Sequence, residues 1–243
     1  MLNDALSATA SILLALLIAF PLGKSLKKHP AVFYLCGLAM IAAFMAYRIG
    51  DFYVAGLQPV LDIVGKGYLA CSLLAIVMFT GALGNGRLRA HLQPIRAQLS
   101  ILSFILILGH VTVYLESYLP RISRIFATNT WLSVSLTIAI LLTVIYAVLS
   151  ATSLHIARVK MPFKIWKGIQ RMSYLMVALL WLHILLALGR GIFLGNGSGS
   201  TTIAFIIYSA ITAAYAALRI RKALKDRRDG RHGHAPADEK SAA

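Results

Sequence analysis

Acidic residues are scarce in this 243-residue chain: eight aspartates and glutamates stand against 24 lysines and arginines, and only 13% of the residues are charged. A soluble globular domain carries about twice that share, which excludes an ordinary water-soluble fold. Cysteine is almost missing. Cys36 and Cys71 sit singly within apolar runs, which excludes a disulfide framework, and no CxxCH motif occurs. Neither a glycine-rich dinucleotide fingerprint nor a P-loop appears in any loop, and the apolar runs leave no room for a soluble flavin or nicotinamide domain. Whatever chemistry the chain performs takes place within or beside a bilayer.

What it has instead is hydrophobic length. Apolar residues make up 59% of the chain, mean hydropathy is +0.77, and the apolar runs are divided by short basic clusters. The pattern predicts an all-α polytopic membrane helix bundle with seven transmembrane helices, near residues 5–23, 31–49, 60–83, 98–118, 131–155, 169–189 and 200–220. At about 1.5 Å per residue, some twenty residues cross a hydrocarbon core of about 30 Å. The third run is the weakest, because it opens with Asp62 and Lys66.

Eighteen of the 24 lysines and arginines lie in loops 24–30, 84–97 and 156–168 and from Arg219 onward, whereas the alternate loops hold only Arg48, Arg121, Arg124 and Arg190. Basic loops stay in the cytoplasm, so the N-terminus is expected outside and the C-terminus inside. The net charge of +16 follows from the same bias and calls for anionic lipid rather than nucleic acid as its partner. No basic residue precedes the first run, and the PLGK that follows it is a poor cleavage site, so residues 5–23 read as a retained helix rather than a signal peptide. From residue 223 the chain turns polar and aperiodic, the composition of a disordered cytoplasmic tail.

Seven histidines are present. His29, His91, His155, His232 and His234 fall in loops, at helix ends or in the tail, where an imidazole meets water and needs no special reason to exist. His110 and His183 instead lie inside apolar runs, where an unpartnered polar group is costly and marks a functional position by default. They stand 12 and 14 residues from the basic ends of their runs, about 18 and 21 Å along parallel helices. Two imidazoles level with each other in the outer half of the bilayer suit the axial ligation of one haem iron. The plain alternative is that each histidine hydrogen-bonds a neighbouring helix as structural glue. Gly109, beside His110, can relieve crowding against a porphyrin.

Residues 95–114, IRAQLSILSFILILGHVTVY, and residues 150–187, SATSLHIARVKMPFKIWKGIQRMSYLMVALLWLHILLA, resemble the ferric-reductase-like transmembrane family. Within it they are most similar to the haem-binding membrane subunit of the bacterial methionine sulfoxide reductase system. The shared features are Arg96 fourteen residues before His110, the group Ser150, Thr152 and Ser153, Trp166, and Tyr174 nine residues before His183. The resemblance covers roughly residues 31–220. It implies a six-helix haem domain over 31–222, residues 1–30 as an additional N-terminal helix with its basic loop, and a place in the bacterial inner membrane. It also implies that His110 and His183 bind haem b and its iron, and that the chain is an electron-transfer subunit serving a periplasmic or membrane redox partner.

The departures from the family shape the mechanism. Two-haem relatives need ligands near positions 97 and 170, and this chain has Ala97 and Gln170, so one haem b is expected. Without an inner haem to relay electrons, membrane quinol is the simpler donor, with FMN as the other donor to consider. Asp62, Lys66, Tyr114 and Glu116 lie toward the outer side as contacts for a quinol head group or its protons. Asp62 and Lys66, four residues apart, also read as a plain helical ion pair, and Glu116 as a solvated helix end. Arg96 and Arg171 read as anchors at the basic ends of their helices, and Trp131, Trp166 and Trp181 as interface and packing residues. The rival reading is a non-redox membrane protein, a transporter or assembly factor that kept the fold and lost its cofactor.

Overall fold

The computed structural model describes residues 4–50 and 58–232, and among them every regular element is helical. In chain order they are α1 (Asp4–Ala19), α2 (Gly23–Lys28), α3 (Pro30–Gly50), α4 (Gln58–Gly65), α5 (Tyr68–Ala82) and α6 (Arg87–Leu92). There follow α7 (Arg96–Tyr118), α8 (Ile122–Thr128), α9 (Thr130–Ala151), α10 (His155–Lys160), α11 (Phe163–Phe193) and α12 (Gly199–His232). Five helices are long and apolar enough to span a membrane, and α4 with α5 forms a sixth, bent candidate. The chain is an all-α polytopic membrane bundle. Leu35, Ile140, Val144 and Ile203 stand exposed on the bundle surface, an apolar face of the kind that membrane lipid covers.

The weakest run of the sequence turns out to be the centre of the bundle. Helix α5 buries Leu69, Ala70, Ser72, Leu73, Leu74, Val77 and Met78 on every side, as a helix without a polar face must. It packs against α7, α1 and α12. Residues 60–83 do not form one straight helix: α4 and α5 meet at 61°. The break falls at Gly67, whose φ of +74° lies in the left-handed region open to glycine. Gly65, one step earlier, allows the aromatic ring of Phe44 close contact, since a Cβ there would lie 2.6 Å from Phe44 Cζ.

Helix α1 also departs from expectation. Its helix ends at Ala19 instead of running to residue 23, and its buried face is Ser7, Ala8, Ser11, Ala15 and Ala19. Small residues four apart let helix backbones approach closely, and α1 packs on both α5 and α12. One face of α1 is therefore seated in the bundle, while Leu6, Leu13 and Leu17 on the other stand exposed. At its end His91 stacks on Phe20, ring centres 5.4 Å apart, with Nε2 3.2 Å from the Ala19 carbonyl. The last helix, α12, continues to His232, past residue 223 where disorder was expected. His234 and residues 233–243 lie outside the described residues.

Candidate metal centre

The two intramembrane histidines face each other across the bundle. His110 on α7 and His183 on α11 have ring centres 6.4 Å apart, with planes at 89°. A metal–imidazole bond measures about 2 Å, and a ring nitrogen lies about 1.1 Å from the centre of a ring whose bonds are about 1.3 Å. Two imidazoles on opposite sides of one metal ion therefore have centres about 6.2 Å apart, close to the separation found.

His110 Nδ1 lies 3.0 Å from the backbone oxygen of Gly65. A carbonyl only accepts, so Nδ1 carries the proton and Nε2 keeps its lone pair. This is the arrangement by which metal-binding histidines are usually oriented. The bend between α4 and α5 delivers that carbonyl, because Gly65 ends α4. Gly67 is required there twice over: a Cβ would lie 3.1 Å from His110 Cγ and Nδ1, in addition to its positive φ. Tyr114, one turn further along α7, covers His110 at 4.6 Å between ring centres. The backbone of Ser135 on α9 faces His183, whose Nδ1 is buried without a well-formed hydrogen bond. Trp131 of α9 donates to the Leu186 carbonyl at 3.0 Å and so braces α9 against the histidine-bearing stretch of α11.

Gly109 has a different role from the one its position beside His110 suggested. A Cβ there would meet Val64 at 3.2 Å and Ile41 at 3.5 Å, so this glycine seats α7 against α4 and α3. One turn from the histidines toward the basic end is a small apolar cavity of about 20 Å³ lined by Ile107, Leu142, Tyr146 and Leu180 among others. A porphyrin plane is far larger, and its seating requires these side chains to part. Among the described residues no three His, Cys, Asp or Glu side chains gather around a metal position; the imidazole pair stands by itself.

The residues beyond His110, away from the basic end, separate into two groups. Lys66 Nζ contacts Asp4 Oδ1 at 3.0 Å, and Asp4 Oδ2 accepts from Thr201 at 2.8 Å. Lys66 thus reaches across to a distant helix, and Asp62 Oδ2 is buried without a hydrogen bond. Lys66 and Tyr114 thus lie next to His110, through Gly65 and by direct ring contact. Glu116 is instead 3.7 Å from Arg48 on the exposed surface. At the basic end, Gln170 Nε2 donates to Thr152 Oγ1 at 3.0 Å, and Trp166 donates to the Thr152 carbonyl at 3.1 Å. Gln170 therefore ties α11 to the end of α9. Trp181 likewise reaches Ser209 on α12 at 3.3 Å.

Residues 66–181 match the family described as ferric reductase like transmembrane component; the match includes His110 and ends two residues before His183. An uncharacterized protein of Treponema pallidum (strain Nichols) is 28% identical over 230 residues, 92% of this chain. The chain spans 62% of that protein's length. Residues 66–181 are thus similar to a ferric-reductase-like transmembrane component, carried here on an all-helical membrane bundle.

Proposed function

We propose that the chain is a membrane cytochrome b subunit holding one haem b between His110 and His183. The observation that carries this reading is the 6.4 Å separation of two half-buried imidazoles, one of them already held in the tautomer that leaves Nε2 free. A haem held this way supplies reversible one-electron transfer, with its potential tuned by ligands and burial. The protein's part is orientation: Gly65 fixes the His110 ring, Tyr114 shields its outer edge, and α9 holds α11 in place. The family fold supports the rest, an electron-transfer subunit of the bacterial inner membrane similar to the haem-binding subunit of the methionine sulfoxide reductase system.

With Gln170 bound to Thr152 and alanine at position 97, these two positions supply no second axial pair. Electrons then enter most simply from quinol on the outer side, where Asp62, Lys66 and Tyr114 can meet its head group and protons. They leave to a redox partner protein. Delivery from FMN on the basic side has a longer path. The small cavity beside the imidazoles favours a second reading, a non-redox membrane protein that kept the fold. Haem content separates the two: the purified chain should hold about one haem, and His110→Ala and His183→Ala should each lose it or turn it high-spin. A chain that stays colourless after haem-supplemented expression supports the second reading.

A further inference from the structure

Most lysines and arginines at the basic end, among them Lys24, Lys27, Arg158, Lys164 and Lys167, are exposed. Arg89, Arg96, Arg219 and Lys222 are half-buried, and they converge on the end of α5. Arg219 Nη1 donates to the Gly81 carbonyl at 2.8 Å, and Lys222 Nζ to the carbonyls of Gly81 at 3.1 Å and Leu83 at 3.3 Å. The Arg96 guanidinium lies against Gly81, with Nη2 3.8 Å from where a Cβ would stand. Arg89, held by Asn85 at 2.8 Å, is near enough to repel both Arg96 and Lys222. The face of Tyr174 supports Arg219 at 4.6 Å.

Positive-inside anchoring needs none of this convergence, since exposed side chains serve it equally well. The carbonyls at a helix C-terminus offset part of the charge. Asp226, the acidic group that acts on Arg219 and Lys222, is exposed and forms no ion pair with them within 4 Å. Arg96 makes no hydrogen bond or ion pair among the described residues. Four cations with donors to spare, grouped where the apolar part of the bundle gives way to basic loops, suit a phosphate at headgroup depth.

A second feature adjoins the cluster. An apolar groove of about 280 Å³ runs between α1, α5 and α12, lined by Leu16, Ile76, Phe79 and Leu83 among others. Leu83 belongs to both features, since its side chain lines the groove and its carbonyl accepts from Lys222. We propose that this end of the bundle binds one anionic phospholipid, its phosphate held by Arg89, Arg96, Arg219 and Lys222 and an acyl chain laid along the groove of α1 and α5. The site lies at the opposite end from the cluster around His110 and does not depend on haem.

The test uses the full chain, purified and stripped of lipid in a neutral detergent, with unfolding followed by tryptophan fluorescence as phosphatidylglycerol, cardiolipin or phosphatidylcholine is added. Anionic lipid should raise the midpoint saturably where phosphatidylcholine does not. Arg96→Gln and Lys222→Gln should each weaken that response roughly tenfold or more, the worth of one charge-assisted hydrogen bond. The control Lys164→Gln/Lys167→Gln removes exposed charge and should respond as the wild type does. Ala75→Phe fills the groove with every charge intact and should also weaken the response; Arg89→Gln, at the rim, serves as a further variant should Arg96→Gln fail to fold. An equal loss in the control would overturn the proposal in favour of diffuse attraction. A response to inorganic phosphate that matches the lipid response, or one unchanged by Ala75→Phe, would overturn it in favour of a soluble anion site.

Discussion

Lys66 and Asp4, sixty-two positions apart in the chain, meet at 3.0 Å. The contact joins the first turn of α1 to the bend between α4 and α5, and the bend presents the Gly65 carbonyl to His110. A residue at the start of the chain thereby supports the orientation of an imidazole on α7.

This predicts that Asp4→Asn weakens the structure modestly. The pair is partly exposed, with side chains at 24% and 32%, so its loss should cost about 1 kcal/mol or less. Thermal unfolding in detergent measures that cost. The more specific outcome is at the haem: the midpoint potential or visible spectrum should shift in Asp4→Asn and in Lys66→Met, and should stay unchanged in Glu116→Gln, whose contact is with Arg48.

Gly67→Ala should be far more damaging. The left-handed conformation costs an L-residue about 1–2 kcal/mol, and the new methyl must displace His110, Ile107 or both. Haem per chain should fall sharply while the helical circular dichroism is largely kept. An unaltered haem content would show that the bend does not orient the ligand.

Gln170→Ala should leave haem stoichiometry at the wild-type value, because Gln170 serves Thr152 at the end of α9 and no ligand partner stands at Ala97. A loss of haem on this substitution would point to a second centre at the basic end.

Ser103 and Tyr146 give a test of packing that is independent of any cofactor. Tyr146 donates to Ser103 Oγ, which donates to the Ala70 carbonyl at 2.6 Å, linking α9, α7 and α5 in the interior. Tyr146→Phe should cost about 1 kcal/mol, and Ser103→Ala about 1–3 kcal/mol because it strands a buried hydroxyl. Unfolding midpoints of the two variants should fall in that order.

The helices and the paired histidines were legible because hydrophobic periodicity and depth are local properties of a sequence. His110 and His183 could be placed level by counting from the basic loops. The bend was less legible: Gly65 and Gly67 were visible, but the ring of Phe44 and the imidazole that demand them come from other helices. Long-range pairing was invisible for the same reason. Lys66 has Asp62 four residues away and still turns to Asp4, because α1 packs into the bundle and brings a carboxylate to it. Arg96, Arg219 and Lys222 read as topology charges along the chain, and only the fold shows them meeting at Gly81. Gly109 was misread because a neighbour in sequence was taken for a neighbour in space.

The most direct measurement is the low-temperature electron paramagnetic resonance spectrum of the oxidised, purified chain. Two imidazoles on one ferric iron give a low-spin signal, and planes set at 89° give the strongly anisotropic form of it rather than the rhombic one. That signal, lost in both His110→Ala and His183→Ala, is the predicted result. A solely high-spin signal, or none at all from protein made with haem in supply, would contradict the bis-histidine centre.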